Sequence, residues 1–312
     1  MRRFRILVLG SVLAALSASM PAQARTGGAS SCRASESGTF VTAADGVRIH
    51  VRTVGRGRPI LMIPSLGRGA DDFDALAAAL ARKGYMSVLP DPRMTGRSSA
   101  TPPTDLFTLA QDNAAVIEAL CHGPVDVVGH AYGNRVARAL ATSSPSLVAR
   151  VALLAGGGEV EMRPEIRRAL AGSFAQDTRS DADRLPDLQL AFFAKGNDPS
   201  VWLRGWYPAA AEAQVAADRR TETSRWWTAG KAPLLLVQAA EDPVAPAGNA
   251  VKLAQDVGTR LTQLDLRHAS HAILPEQPKA VAAALAAYFK GRATQASLQR
   301  LLDRNTHVPP GQ

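Results

Sequence analysis

The sequence predicts an α/β fold: a mostly parallel sheet flanked by helices and interrupted by a helical insertion. Three observations carry this. Short apolar runs alternate with helix-period stretches between residues 59 and 154, the rhythm of parallel strands joined by crossover helices. The rhythm stops after Gly156-Gly157-Gly158, and residues 159–230 hold no convincing strand. It resumes with apolar runs at 234–237 and 261–266 and closes with a helix-period stretch over 275–289.

Each element has its own signature. Arg2, Arg3 and Arg5 precede an apolar run over 6–16, and Ala22-Gln23-Ala24 forms a small-x-small cleavage site. That is the pattern of a secretory signal peptide over 1–24, cleaved after Ala24. The run falls short of the roughly 20 residues a membrane span needs. The expectation is a secreted or periplasmic protein with no integral membrane segment once the signal is removed. Residues 25–38 are rich in Gly, Ser and Ala and read as irregular. Residues 39–42 and 47–52 alternate apolar and polar around Asp45-Gly46, the mark of a hairpin. Runs at 59–63, 85–89, 125–128 and 151–154 are continuously apolar, as strands buried on both faces require. Residues 71–83, 106–120 and 134–140 have helical spacing between them. The insertion, 159–230, reads as helical, with Pro164, Pro186, Pro199 and Pro208 as breakers. The core is thus split into 39–158 and 231–290, and 291–312 reads as a tail.

Composition narrows the function. The formal charge is +9, but Lys and Arg are scattered among Asp and Glu, with no basic run and no basic–aromatic interleaving. This argues against a nucleic-acid partner, and the basic balance sets solubility and weak attraction to anions; the sequence leaves the oligomeric state open. Cys32 and Cys121 either form a disulfide, as an oxidising compartment permits, or remain two thiols. His268 and His271 are three apart with no third ligand evident, so no metal site is expected. The Gly156–Gly158 run lacks dinucleotide-binding spacing, and no cofactor is expected.

The chemistry centres on residues 129–133, Gly-His-Ala-Tyr-Gly, which lie between a strand and a helix. Strand, G-x-x-x-G, helix is the setting of a nucleophile elbow, where a tight turn presents a serine. Here the serine position is Ala131, which has no hydroxyl. Two later loops carry the partners such a site needs. Asp242 follows the run at 234–237, and His271 follows the run at 261–266. Active sites of open α/β sheets form at those strand ends, and a catalytic histidine needs an acid behind it. His268 is the alternative base; Glu241 is adjacent to Asp242, but its side chain is expected to point elsewhere, and His130 reads as a packing residue.

Together these pieces resemble the α/β-hydrolase family, in its branch with a helical cap, over roughly residues 39–290. The resemblance rests on the elbow frame, Glu241-Asp242-Pro243-Val244-Ala245-Pro246, the Ser270-His271-Ala272-Ile273-Leu274-Pro275-Glu276-Gln277-Pro278 segment, and the Asp91–Ser98 turn. It implies that His271 and Asp242 are base and acid, that residues 159–230 are the cap, and that the amides of Leu66 and Tyr132 form an oxyanion hole. Ile63-Pro64-Ser65-Leu66-Gly67 departs from the family's usual His-Gly pair, and Ser65 is the one nearby hydroxyl that could replace the missing nucleophile. Trp202, Trp206, Phe192 and Phe193 are expected around the substrate pocket, or else in the core of the cap with Tyr207, Trp226 and Trp227.

Ala131 admits three readings: an introduced knockout, a pseudo-hydrolase that binds a ligand, or an enzyme without a covalent intermediate. The third is the expectation, because an Asp–His pair is needed for proton transfer and not for binding alone. It gives an exported hydrolase acting on a small apolar or aromatic ester, lactone or similar molecule.

Overall fold

The computed structural model describes residues 31–308. The expected signal peptide and its cleavage site lie outside the described residues. Along the chain the strands are β1 (Ser31–Cys32), β2 (Thr39–Thr42), β3 (Arg48–Gly55), β4 (Arg58–Ile63), β5 (Tyr85–Pro90), β6 (Cys121–His122), β7 (Val125–His130), β8 (Val148–Leu154), β9 (Leu234–Ala239) and β10 (Leu261–Leu266). The helices are α1 (Asp74–Ala81), α2 (Leu106–Leu120), α3 (Tyr132–Ser143), α4 (Pro164–Ser173), α5 (Asp181–Phe192), α6 (Pro208–Arg219), α7 (Gly248–Val257), α8 (Ile273–Glu276), α9 (Pro278–Phe289) and α10 (Gln295–Asn305).

Eight strands form one sheet in the order β10-β9-β8-β7-β4-β5-β3-β2. The six from β10 to β5 run parallel, and the β2–β3 hairpin adds antiparallel at one edge. Strands β5, β7 and β9 are buried along their whole length, as continuous apolar runs require when helices cover both faces. One core cluster packs α2, α3 and α7 against one face; the other packs α1, α9 and α10 against the opposite face. Asp105 caps α2 by accepting the Thr108 amide at 2.8 Å.

Residues 159–230 contain α4, α5 and α6 and no strand. A third cluster, including Leu188, Phe192, Trp202 and Trp206, lies within them. The prolines there start elements more than they break them. Pro164 and Pro208 occupy the first turns of α4 and α6, where the missing N–H costs nothing, and only Pro186 lies inside a helix.

Three expectations need correction. Residues 291–312 are not simply a tail: α10 buries Leu298 and Leu302 in the second core cluster. Its Gln299 pairs with the backbone of Asp265 in β10, accepting the amide at 2.9 Å and donating to the carbonyl at 2.8 Å. The closing helix is two pieces, α8 and α9, separated at Gln277. Within 25–38, β1 is ordered against β6, and Cys32 is bonded to Cys121. Among the described residues no helix is long and apolar enough to cross a membrane.

Candidate active site

The turn between β7 and α3 places Ala131 at φ 49°, ψ −114°, a conformation that residues with a Cβ rarely adopt. The glycines on either side make the turn possible. A Cβ on Gly129 would lie 2.4 Å from the Gly133 carbonyl oxygen, and one on Gly133 would lie 2.1 Å from that of Ile63. The Ala131 amide donates to the Leu154 carbonyl at 2.9 Å, and the Ala131 carbonyl accepts the Asn134 amide at 3.0 Å. The Asn134 side-chain amide donates to that same carbonyl.

Ala131 faces a cavity of about 350 Å³ between the sheet ends and the helical insertion. Ser65, Leu66, Tyr132, Phe192, Trp206 and His271 share its wall. Among the described residues, no backbone carbonyl accepts the amides of Leu66 and Tyr132. Tyr132 opens α3, where the first-turn amides have no partner within the helix.

His271 and Asp242 meet behind this wall. His271 Nδ1 lies 2.9 Å from Asp242 Oδ2 and 3.1 Å from Oδ1. The Asp242 carboxylate is fully buried and also accepts the amides of Val244 and Ala245 at 2.9 and 2.8 Å. These bonds make the aspartate an acceptor on every side, so Nδ1 carries the proton and Nε2 of a neutral His271 is an acceptor. His268 and Glu241 do not join this pair: His268 lies in the turn before the loop, with φ 53°, and the Glu241 backbone holds the loop by pairing with Ala269 and Ser270. His130 is fully buried, and burial pushes its imidazole down to about 3. It is therefore neutral and donates from Nε2 to the His271 carbonyl at 2.8 Å, which fixes the loop from beneath.

The expected pocket aromatics divide. Phe192 and Trp206 line the cavity; Trp202 and Phe193 do not. The Trp202 ring meets those of His130 and Phe192 edge-on, with centroids at 6.1 and 5.2 Å, and Phe193 packs edge-on to Trp202 at 5.5 Å. The two therefore form the layer behind the wall, because their neighbours already occupy the front. Trp226 and Trp227 are core residues that flank Arg138, whose guanidinium is 4.8 and 4.4 Å from their rings. Arg138 is buried and donates to Trp227 O at 3.2 Å, to Gly157 O at 2.7 Å and to Asn134 Oδ1.

Two residues near the site carried no sequence signal strong enough to single them out. Gln214, from α6, accepts the Gly67 amide, next to Leu66, at 2.8 Å. Glu276 stands within the quoted histidine segment, but an acid near a helix start reads as an ordinary complement to the helix dipole. In the structure it is buried and accepts three hydrogen bonds.

A family model described as the alpha/beta hydrolase family matches residues 60–284. A non-heme haloperoxidase of Rhodococcus erythropolis is 27% identical over 235 residues, covering 69% of this chain and 86% of that protein. The structure is similar to that of an esterase from Exiguobacterium antarcticum, with a TM-score of 0.67 and 19% identity, over 81% of this chain and all of the other. A thermophilic esterase from Thermogutta terrifontis matches with a TM-score of 0.67 and 17% identity, over 81% and 98% of the two chains. At such identities the likeness to the solved structures is one of fold.

Proposed function

Because the chain belongs to the alpha/beta hydrolase family, we propose that it is an exported hydrolase of small apolar or aromatic esters or lactones, working through His271 and Asp242 without a serine nucleophile. The observation that carries this reading is the buried His271–Asp242 pair, 2.9 Å apart, beside a cavity whose floor is Ala131. His271 Nε2 takes a proton from water as the oxygen adds to the substrate carbonyl. The amides of Leu66 and Tyr132 hold the oxyanion that forms. The carbonyl re-forms, the C–O bond to the leaving group breaks, and His271 returns the proton to the departing alkoxide. Asp242 keeps the imidazole in one tautomer and stabilises its cationic form. Ser65 shares the cavity wall and is the alternative nucleophile. Export is supported by the basic-apolar-small N-terminal pattern and by the Cys32–Cys121 disulfide, which persists in oxidising compartments.

Ala131 itself favours a second reading, a pseudo-hydrolase that binds a small ligand in the same cavity. Turnover of an ester, lactone and epoxide panel by wild type, His271→Ala and Ala131→Ser separates the two. The proposed enzyme hydrolyses part of the panel, and His271→Ala loses that activity. If wild type and His271→Ala are equally inert on every compound, the enzyme reading falls. Activity appearing only in Ala131→Ser then identifies an intact frame that lacks one oxygen.

A further inference from the structure

The histidine segment holds a buried carboxylate that the chemistry above does not use. Glu276 is 8% exposed. Its Oε2 accepts the Ser270 amide at 2.7 Å, and its Oε1 accepts the Ala194 amide at 2.7 Å and Asn197 Nδ2 at 2.6 Å. The donors come from two places. Ser270 immediately precedes His271, whereas Ala194 and Asn197 follow the C-terminal end of α5. Two further bonds run along the same seam: the Ala272 amide to Phe192 O at 2.7 Å, and Asn197 Nδ2 to His268 O at 3.3 Å. Phe192 lines the cavity, and its ring centroid is 5.8 Å from that of His271. The seam therefore joins the imidazole to a cavity wall.

We propose that Glu276 is a positioning residue whose carboxylate locks the His271 segment to the end of α5, keeping the imidazole and the Phe192 wall in one fixed relation. A carboxylate is suited to this task because it accepts on both oxygens and donates on neither. Glutamine is not equivalent: its NH₂ would face either the Ser270 amide or the two donors at Oε1, and one side of the lock would open. Asp242 fixes which nitrogen of His271 carries the proton; Glu276 fixes where the ring stands. The effect on turnover rests on His271 being the base, but the positional role does not.

The test reads His271 directly. In protein labelled with ¹⁵N-histidine, the Nδ1–H signal of His271 is identified by its disappearance in His271→Ala. At pH 8, solvent exchange of this proton is expected to be at least tenfold faster in Glu276→Gln than in wild type, and partly restored in Glu276→Asp. If Glu276→Gln does not fold, Asn197→Ala removes one donor from the same carboxylate and should still accelerate exchange threefold or more. Exchange within twofold of wild type in the folded variants overturns the proposal. Because this measurement needs no substrate, a wild type inert toward every ester would sink the hydrolase reading and leave this result standing.

Discussion

Tyr132 donates its hydroxyl hydrogen to the backbone carbonyl of Gln214 at 2.9 Å, while the Gln214 side-chain oxygen accepts the Gly67 amide at 2.8 Å. One residue of α6 thus braces both the turn that follows Ala131 and the loop that follows β4. Gln214 is buried, so Gln214→Leu leaves a buried amide with no acceptor. Such an orphan costs about 1–3 kcal/mol. Urea denaturation should show that loss, with Tyr132→Phe losing less, about 0.5–1.5 kcal/mol. Unchanged midpoints in both variants would remove the brace from the account.

One buried carboxyl predicts how stability responds to pH. Burial pushes Asp126 up to about 6. A carboxyl whose folded pKa exceeds its unfolded value holds its proton more tightly in the fold. Stability from this group is therefore full in acid and lost as pH rises through about 4 to 6, opposite to the usual surface carboxylate. Asp126→Asn should raise thermal stability at pH 8 relative to wild type and lose that advantage at pH 4. A constant difference across that range would show that Asp126 is not the group responsible.

The Cys32–Cys121 bond closes a loop with a sequence separation of 89. In the chain-entropy account a cross-link over a loop of this size adds about 4–5 kcal/mol. Reduction, or Cys32→Ser with Cys121→Ser, should lower the guanidinium midpoint accordingly. Equal midpoints with and without reductant would mean the β1–β6 pairing holds by itself.

Arg138 forks to three acceptors and stacks between two tryptophan rings. Lysine offers one compact ammonium and no flat face. Arg138→Lys should cost about 2–3 kcal/mol, the scale of a broken buried network. Arg138→Met should cost less, because it removes the desolvated charge together with its bonds. A calorimetric melt ranks the pair, and the reverse order would contradict this.

The parallel strands could be read in the sequence because burial on both faces leaves continuous apolar runs. Asp242 and His271 could be read because each follows one of those runs, and topology delivers both loops to the same sheet edge. What escaped was whatever depends on which side of a ring or helix meets the cavity. Trp202 and Trp206 are both aromatic and four residues apart, yet only one reaches the wall. Glu276 escaped because an acid near a helix start has an ordinary explanation that needs no burial. In α10 the apolar signal is brief, with Leu298, Leu301 and Leu302 in an otherwise polar stretch. The cysteine pairing is a matter of spatial proximity, and no spacing encodes it.

β10 is the last strand of the sheet, and the loop it feeds carries His271. An outermost strand offers unpaired backbone groups to any passing extended chain. The two bonds between Gln299 and Asp265 occupy that position, so a side-chain amide stands in for the next strand. Chains trimmed after Phe289 would bare this margin and uncover the buried Leu264 and Leu266 of β10, which pack in one cluster with Leu298 and Leu302 of α10. Such a preparation should self-associate edge to edge, beginning at the strand that supports the histidine.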